Sequence, residues 1–125
     1  MTTEIINQYQ IKFNNTEFKN TITGEVVVNK IPTIGHLQLF EFLIDWQNAQ
    51  EINTLLLPDI NSALANSSIE FENGSEVIAI TIKQNNTDFF DNNGYACSIP
   101  TLDFKEIIVG WRDFLLVPPF HGSKA

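Results

Sequence analysis

The spacing of apolar positions changes period several times along the chain, and each change marks an element. Tyr9, Ile11 and Phe13 alternate with Gln10, Lys12 and Asn14, the period of a half-buried strand, so residues 1–30 read as strands. The Asn14-Asn15-Thr16 cluster suggests a turn, and Ile22-Thr23-Gly24 leads into the β-branched run Glu25-Val26-Val27-Val28, a second strand. Pro32 interrupts, and Thr33 can cap the next element. Residues 35–50 switch to helical spacing. Leu37, Phe40, Ile44 and Gln47 fall on one side, Leu39, Leu43 and Trp46 on an adjoining stripe, and Glu41, Asp45 and Asn48 form an outward ridge. Pro58 suits the first turn of a shorter helix over about 58–66, which buries Ile60 and Leu64. Its end near Asn66-Ser67-Ser68 comes from side chains that compete for backbone hydrogen bonds.

Period two then returns. Residues 69–72, the dipeptide Asn73-Gly74 and residues 76–83 read as a hairpin, because Asn-Gly supplies the positive φ of a type I′ turn. Ile69 and Phe71 face inward in the first arm, and Glu70 and Glu72 outward. Ile78, Ile80 and Ile82 share one face of the second arm, with Val77, Ala79 and Thr81 on the other, as in a central strand. Asn85-Asn86 turns into a strand at Asp88-Phe89-Phe90-Asp91, and Asn92-Asn93-Gly94 turns into Tyr95–Ile99. Thr101 is a candidate N-cap for a last helix, residues 101–116, with Asp103 in its first turn. Phe104, Ile108, Trp111 and Leu115 form its apolar stripe, and Gly110 marks close packing on the sheet. Spacing places both Trp46 and Trp111 in the core. The element order gives an α+β fold: a mostly antiparallel sheet packed by two larger helices, about 35–50 and 101–116, and a short one, about 58–66.

The 125 residues suit one core, so 1–125 reads as a single domain with a loose tail from about 118. Met1-Thr2-Thr3-Glu4 lacks the basic and apolar regions of a secretory signal, and no apolar run approaches a membrane span. A lone Cys97 fits a reducing compartment. The expectation is a cytoplasmic protein, in which the four Asn-x-Ser/Thr sequons at Asn14, Asn66, Asn73 and Asn85 are products of an Asn-rich chain. Fifteen acidic against seven basic residues give a net charge of −8. Such a chain repels phosphate backbones and anionic membranes and favours a basic protein partner. Residues 58–100 concentrate the charge, with six acids against Lys83 alone.

Catalytic and metal-binding patterns are missing. Two histidines, His36 and His121, and one cysteine give no zinc or calcium motif. His36 opens a helix, where a solvated or capping role is expected, and His121 sits in the tail. Cys97 has no cationic neighbour in sequence to lower its pKa. The six glycines are scattered singly, so no phosphate loop is present. The carboxylates fit solvated faces of strands and turns better than an acid–base pair. The expectation is a non-catalytic chain with no metal and no cofactor.

The segment YACSIPTLDFKEIIVGWRDFLL, Tyr95 to Leu116, joins a short strand, a proline and a terminal amphipathic helix with a tryptophan near its middle. It resembles the C-terminal end of small immunity proteins of bacterial contact-dependent growth inhibition and related polymorphic toxin systems. The resemblance covers about a fifth of the chain. It implies a protein that binds a cognate toxin domain, often a cytosol-acting nuclease, and blocks its active site or substrate path. Such a toxin is basic where it grips phosphate. An acidic secretion chaperone of the type III class, holding an effector segment, is the alternative, with an acidic DNA mimic, or a small enzyme or ligand-binding module whose site no motif reveals, as further rivals. Outward acidic spacing beside aromatics places partner contacts at Glu41 and Asp45, or at Glu70, Glu72, Asp88 and Asp91, around an aromatic anchor, Phe89 or Tyr95. The oligomeric state reads as monomer or homodimer.

Overall fold

The computed structural model describes residues 1–118; the expected loose tail and His121 lie outside the described residues. The fold is α+β, with four helices and two antiparallel sheets among the described residues.

The N-terminus is helical where strands are expected. In α1, Thr3–Tyr9, the Thr2 hydroxyl accepts from the Ile5 N–H and Glu4 sits in the first turn. Both features stabilise a helix start. Ile5 and Tyr9, four apart, bury one face, so Tyr9 belongs to a helical stripe and not to the strand alternation. Thr2 N–H donates to Glu106 (2.6 Å) and the Tyr9 hydroxyl to Asp103 (2.7 Å), which binds α1 to the terminal helix.

Strands β1, Lys12–Lys19, and β2, Val26–Thr33, form a two-stranded arm. The turn expected at Asn14-Asn15-Thr16 is mid-strand: these residues pair with Ile31, Lys30 and Asn29, and the Asn15 side chain accepts from Lys30 Nζ. The chain reverses at 20–25 instead, where Asn20 Oδ1 accepts from the N–H groups of Ile22 and Thr23 and Gly24 takes φ +74°. Pro32 is part of β2 rather than its terminator. At the base of the arm Phe13 meets Trp111 edge-on at 5.0 Å and Lys30 lies 4.1 Å over the Phe114 ring.

The expected helix at 35–50 is two elements. Helix α2, Leu37–Leu43, is capped by His36, not Thr33. The chain then leaves helical geometry through Trp46, and Asn48 caps a new helix by accepting from the Glu51 N–H. Leu37, placed on the apolar face by spacing, is exposed, whereas Leu39, Phe42, Leu43 and Trp46 are buried. The new helix, α3, covers residues 49–65 and absorbs the short helix expected at 58–66. It runs α-helical over Ala49–Glu51, π-helical over Ile52–Leu56, and α-helical again over Leu57–Ala65. The π-stretch explains Pro58. A proline clashes with the carbonyl four residues back in a regular helix, and the widened turn ahead of it, with Leu57 N–H bonded to the Ile52 carbonyl, relieves that demand.

The main sheet has the order β3-β4-β5-β6: Phe71–Gly74, Ala79–Ile82, Asn86–Asp91 and Gly94–Pro100, each pair antiparallel. The hairpin does not turn at Asn73-Gly74. Gly74 pairs with Ala79, and the loop between them is closed by the Ser75 N–H on the Ile78 carbonyl at 2.7 Å. Gly74 matters for another reason: a Cβ there would lie 2.8 Å from the Ile78 carbonyl oxygen. Ile69 precedes β3 and is exposed instead of facing in. Helix α4, Thr101–Leu116, has the expected bounds. Thr101 is its buried first residue rather than its cap, and its hydroxyl bonds the Lys83 carbonyl and the Thr87 hydroxyl. Gly110 packs against the Met1 side chain, where a Cβ would meet Met1 Cγ at 2.8 Å, and not against the sheet.

One contiguous core unites these parts. Phe42 of α2, Phe89 of β5 and Phe104 of α4 meet edge-on with centroids 5.7–6.2 Å apart. Trp111 is fully buried, and its indole N–H donates to the Trp46 carbonyl at 2.6 Å. That bond satisfies a backbone group exposed by the break after α2.

Candidate functional site

Among the described residues, helices cover one face of the four-stranded sheet. Ile80, Ile82, Thr87, Phe89 and Ile99 point into the core and are buried. Because strand side chains alternate, the register sets two rows on the opposite face. Glu72, Thr81, Asp88 and Ser98 lie side by side across all four strands. The next row is Gly74, Ala79, Phe90 and Tyr95. Phe90 and Tyr95 meet edge-on at 5.9 Å, and Tyr95 is 63% exposed. Where the small Ala79 side chain adjoins Phe90, a shallow cleft of about 460 Å³ opens, lined also by Glu72, Asn73 and Thr81.

The polar row holds one built-in ion pair. Lys83 Nζ sits 2.7 Å from Asp88, whose other oxygen accepts from the Ser98 hydroxyl at 2.7 Å. Partial burial raises the Asp88 pKa, but the Lys83 and Ser98 hydrogen bonds and the Lys83 charge outweigh it and leave the carboxyl below its usual range. Lys83 is raised, first by its hydrogen bond to Asp88 and then by that charge, with Glu70 adding to the effect. Asp88 is thus held in place by groups of its own chain. Among the described residues the ion pairs are Lys83–Asp88 and Arg112–Asp113, so neither Glu70 nor Glu72 is held in an ion pair there.

A second cleft, about 290 Å³, lies on the other side of the β3–β4 loop. Asp45, Glu51 and Glu76 surround Trp46 and Leu55 there. Asp45 accepts from the Glu76 N–H at 3.1 Å, which ties the exit of α2 to the hairpin loop. Asn73 lines the first cleft and Gly74 the second, so the hairpin forms a shared wall.

The residues selected from sequence are therefore partly reunited. Glu72, Asp88 and Tyr95 share the open face, and Glu70 is exposed just before it. Asp45 borders the second cleft, and Glu41 is half-buried on α2 one turn earlier. Asp91 caps the β5–β6 turn by accepting from the Asn93 N–H at 2.8 Å. Phe89 is a correction: it is 0% exposed and belongs to the aromatic core. The outward aromatic is Phe90, and the signal was available, since a charged Asp88 on the outer face forces Phe89 inward and Phe90 outward. A bulge between Phe89 and Phe90 then sets Phe90 beside Tyr95. Glu51 and Glu76 had no such signal, because only tertiary packing brings them to Asp45.

The fold also makes one contact that the spacing did not anticipate. Cys97 Sγ lies 3.6 Å from His36 Nε2. The Leu39 N–H occupies His36 Nδ1 at 3.2 Å, so the neutral ring carries its proton on Nε2, facing the thiol. Burial lowers the His36 pKa, and burial followed by the Asp91 and Asp88 charges raises that of Cys97. Both shifts oppose a thiolate–imidazolium pair, and the nitrogen facing the sulfur is a donor rather than a base.

No helix among the described residues is long and apolar enough to cross a membrane. Nor do three or more His, Cys, Asp or Glu of the described residues gather in a metal-holding group. Comparison with known protein families, with curated proteins and with solved structures finds no match.

Proposed function

We infer that this chain is a non-catalytic inhibitor that docks a basic protein domain on the open face of its four-stranded sheet and obstructs that domain's active site. The immunity proteins that its C-terminal segment resembles suggest the partner: a cytosol-acting toxin domain with a phosphate-gripping surface. The observation that carries the reading is the open face itself, where Glu70 and Glu72, in no ion pair among the described residues, share a surface with the half-buried Phe90 and the exposed Tyr95. A charged rim around an aromatic anchor is the arrangement that speeds encounter with an oppositely charged surface and then holds it. The Asp45–Glu51–Glu76 cleft extends the same negative field past the hairpin.

The test begins with capture of partners by the tagged chain from lysate of its native host, at low and moderate salt. A recovered basic domain is then expressed alone, assayed for toxicity, and mixed with the chain at equal stoichiometry. Neutralisation is expected, and Glu72→Lys with Tyr95→Ala should slow association at least about tenfold at low salt. The slowing should shrink near physiological salt, where screening acts over about 8 Å. A captured domain that the chain fails to neutralise, or one bound equally by the double variant, would defeat the proposal.

A further inference from the structure

The distal half of the β1–β2 arm stands away from the core. Every residue from Thr16 to Val27 is exposed, including the apolar Phe18, Ile22, Val26 and Val27, and Ile22 is 93% exposed. An isolated two-stranded ribbon is only marginally stable, and each of its edges is a template for another strand.

Hydrogen-bond parity decides which backbone groups are open. The Asn20 N–H donates to the Glu25 carbonyl at 2.7 Å. Antiparallel alternation then makes Phe18–Val27 and Thr16–Asn29 the inward-bonded pairs and turns the backbone groups of Asn15, Glu17 and Lys19 outward on β1. On β2 the outward positions are Val26, Val28, Lys30 and Pro32. Pro32 confirms the parity, because proline is tolerated in a strand where its missing N–H would face away from the partner. Lys30 and Pro32 also blunt the β2 edge. The β1 edge carries Glu17 and Lys19 on either side of Phe18.

We propose that β1 pairs edge to edge with β1 of a second copy of this chain, antiparallel about a two-fold axis at Phe18. In that register Glu17 of each copy faces Lys19 of the other, so two opposite-charge pairs form at positions whose backbone groups point outward, and Phe18 meets Phe18. Charge selects the register. A slip of two residues in either direction sets Glu17 against Glu17 or Lys19 against Lys19, and like charges directly opposite are destabilising. The joined arms make a four-stranded sheet with Phe18 and Val27 of both copies on one face, and the tip bearing Ile22 runs beside Asn14 of the other copy. Because the contact is isologous, it closes at two copies. It is independent of the partner proposed above, whose docking face lies on the other sheet.

Sedimentation equilibrium of the full chain over low to high micromolar concentration tests this. The wild type should show a monomer–dimer equilibrium. Lys19→Glu and Glu17→Lys alone should each weaken it about tenfold, by turning two attractive pairs into two repulsive ones. The double exchange Glu17→Lys with Lys19→Glu should restore it. Both positions are exposed, and circular-dichroism melts of the variants should coincide with the wild type. A monomer at every concentration, a dimer indifferent to the single reversals, or a double exchange no better than either single would each overturn the proposal.

Discussion

Replacing Phe89 by Ala separates the core reading of this residue from an interface reading. The ring is 0% exposed and meets Phe42 at 6.2 Å and Phe104 at 5.7 Å, both edge-on. Burial of such a side chain contributes about 1.5–3 kcal/mol, and each edge-on pair about 0.5–1.5 kcal/mol beyond burial. The sum agrees with the roughly 3–5 kcal/mol that Phe→Ala costs in well-packed cores. Against a total stability of about 5–15 kcal/mol, the variant should fold with a Tm lowered by roughly 10–20 °C. Urea unfolding followed by fluorescence of the two buried tryptophans, Trp46 and Trp111, measures the difference. Phe90→Ala, one residue along and facing out, should cost about 1 kcal/mol or less. Should Phe89→Ala not accumulate, Phe89→Leu keeps most of the volume and should cost about 1.5 kcal/mol. A Phe89→Ala loss below about 1.5 kcal/mol, or equal losses at the two positions, would refute this account of the core.

Two further expectations concern pH. His36 is held below its usual pKa by burial, and its Nδ1 must stay unprotonated to cap α2. A depressed folded-state pKa contributes stability that is full above the unfolded value, about 6.5, and is lost as pH falls through the folded value. Urea midpoints should therefore drop on acidification below about 6.5, and His36→Asn, which keeps a capping acceptor, should flatten that slope; an unchanged slope would contradict the assignment. Tyr9 is held above its usual range, first by burial and then by the hydrogen bond to Asp103 and that group's charge. Its stabilisation is present below the unfolded value near 10 and is lost as pH rises toward the folded one. In alkaline ultraviolet titration one of the two tyrosines should ionise only with unfolding, and Tyr9→Phe should abolish that late step.

What sequence determined by itself is whatever depends on neighbours a few residues away. The 101–116 helix is legible because Phe104, Ile108 and Trp111 repeat at the helical period and Pro100 sets its start. The alternation of Ile78, Ile80 and Ile82 likewise fixes one buried face of β4, and the acid excess of residues 58–100 comes from composition alone. Tertiary structure decided everything in which local preference was weak or outvoted. Asn14-Asn15-Thr16 has turn chemistry but gains more by pairing with β2, and Asn73-Gly74 has a hairpin signature overridden by a register that places Gly74 opposite Ala79. The 35–50 helix breaks because burying Trp46 and giving its carbonyl to Trp111 offsets the helical bonds forgone. Periodicity ranks faces of an isolated element; it carries no information on which distant element will cover them. For that reason the open sheet face, assembled across four successive strands, and the Asp45–Glu51–Glu76 cleft, whose Asp45 and Glu76 lie 31 residues apart, emerge only in the tertiary structure.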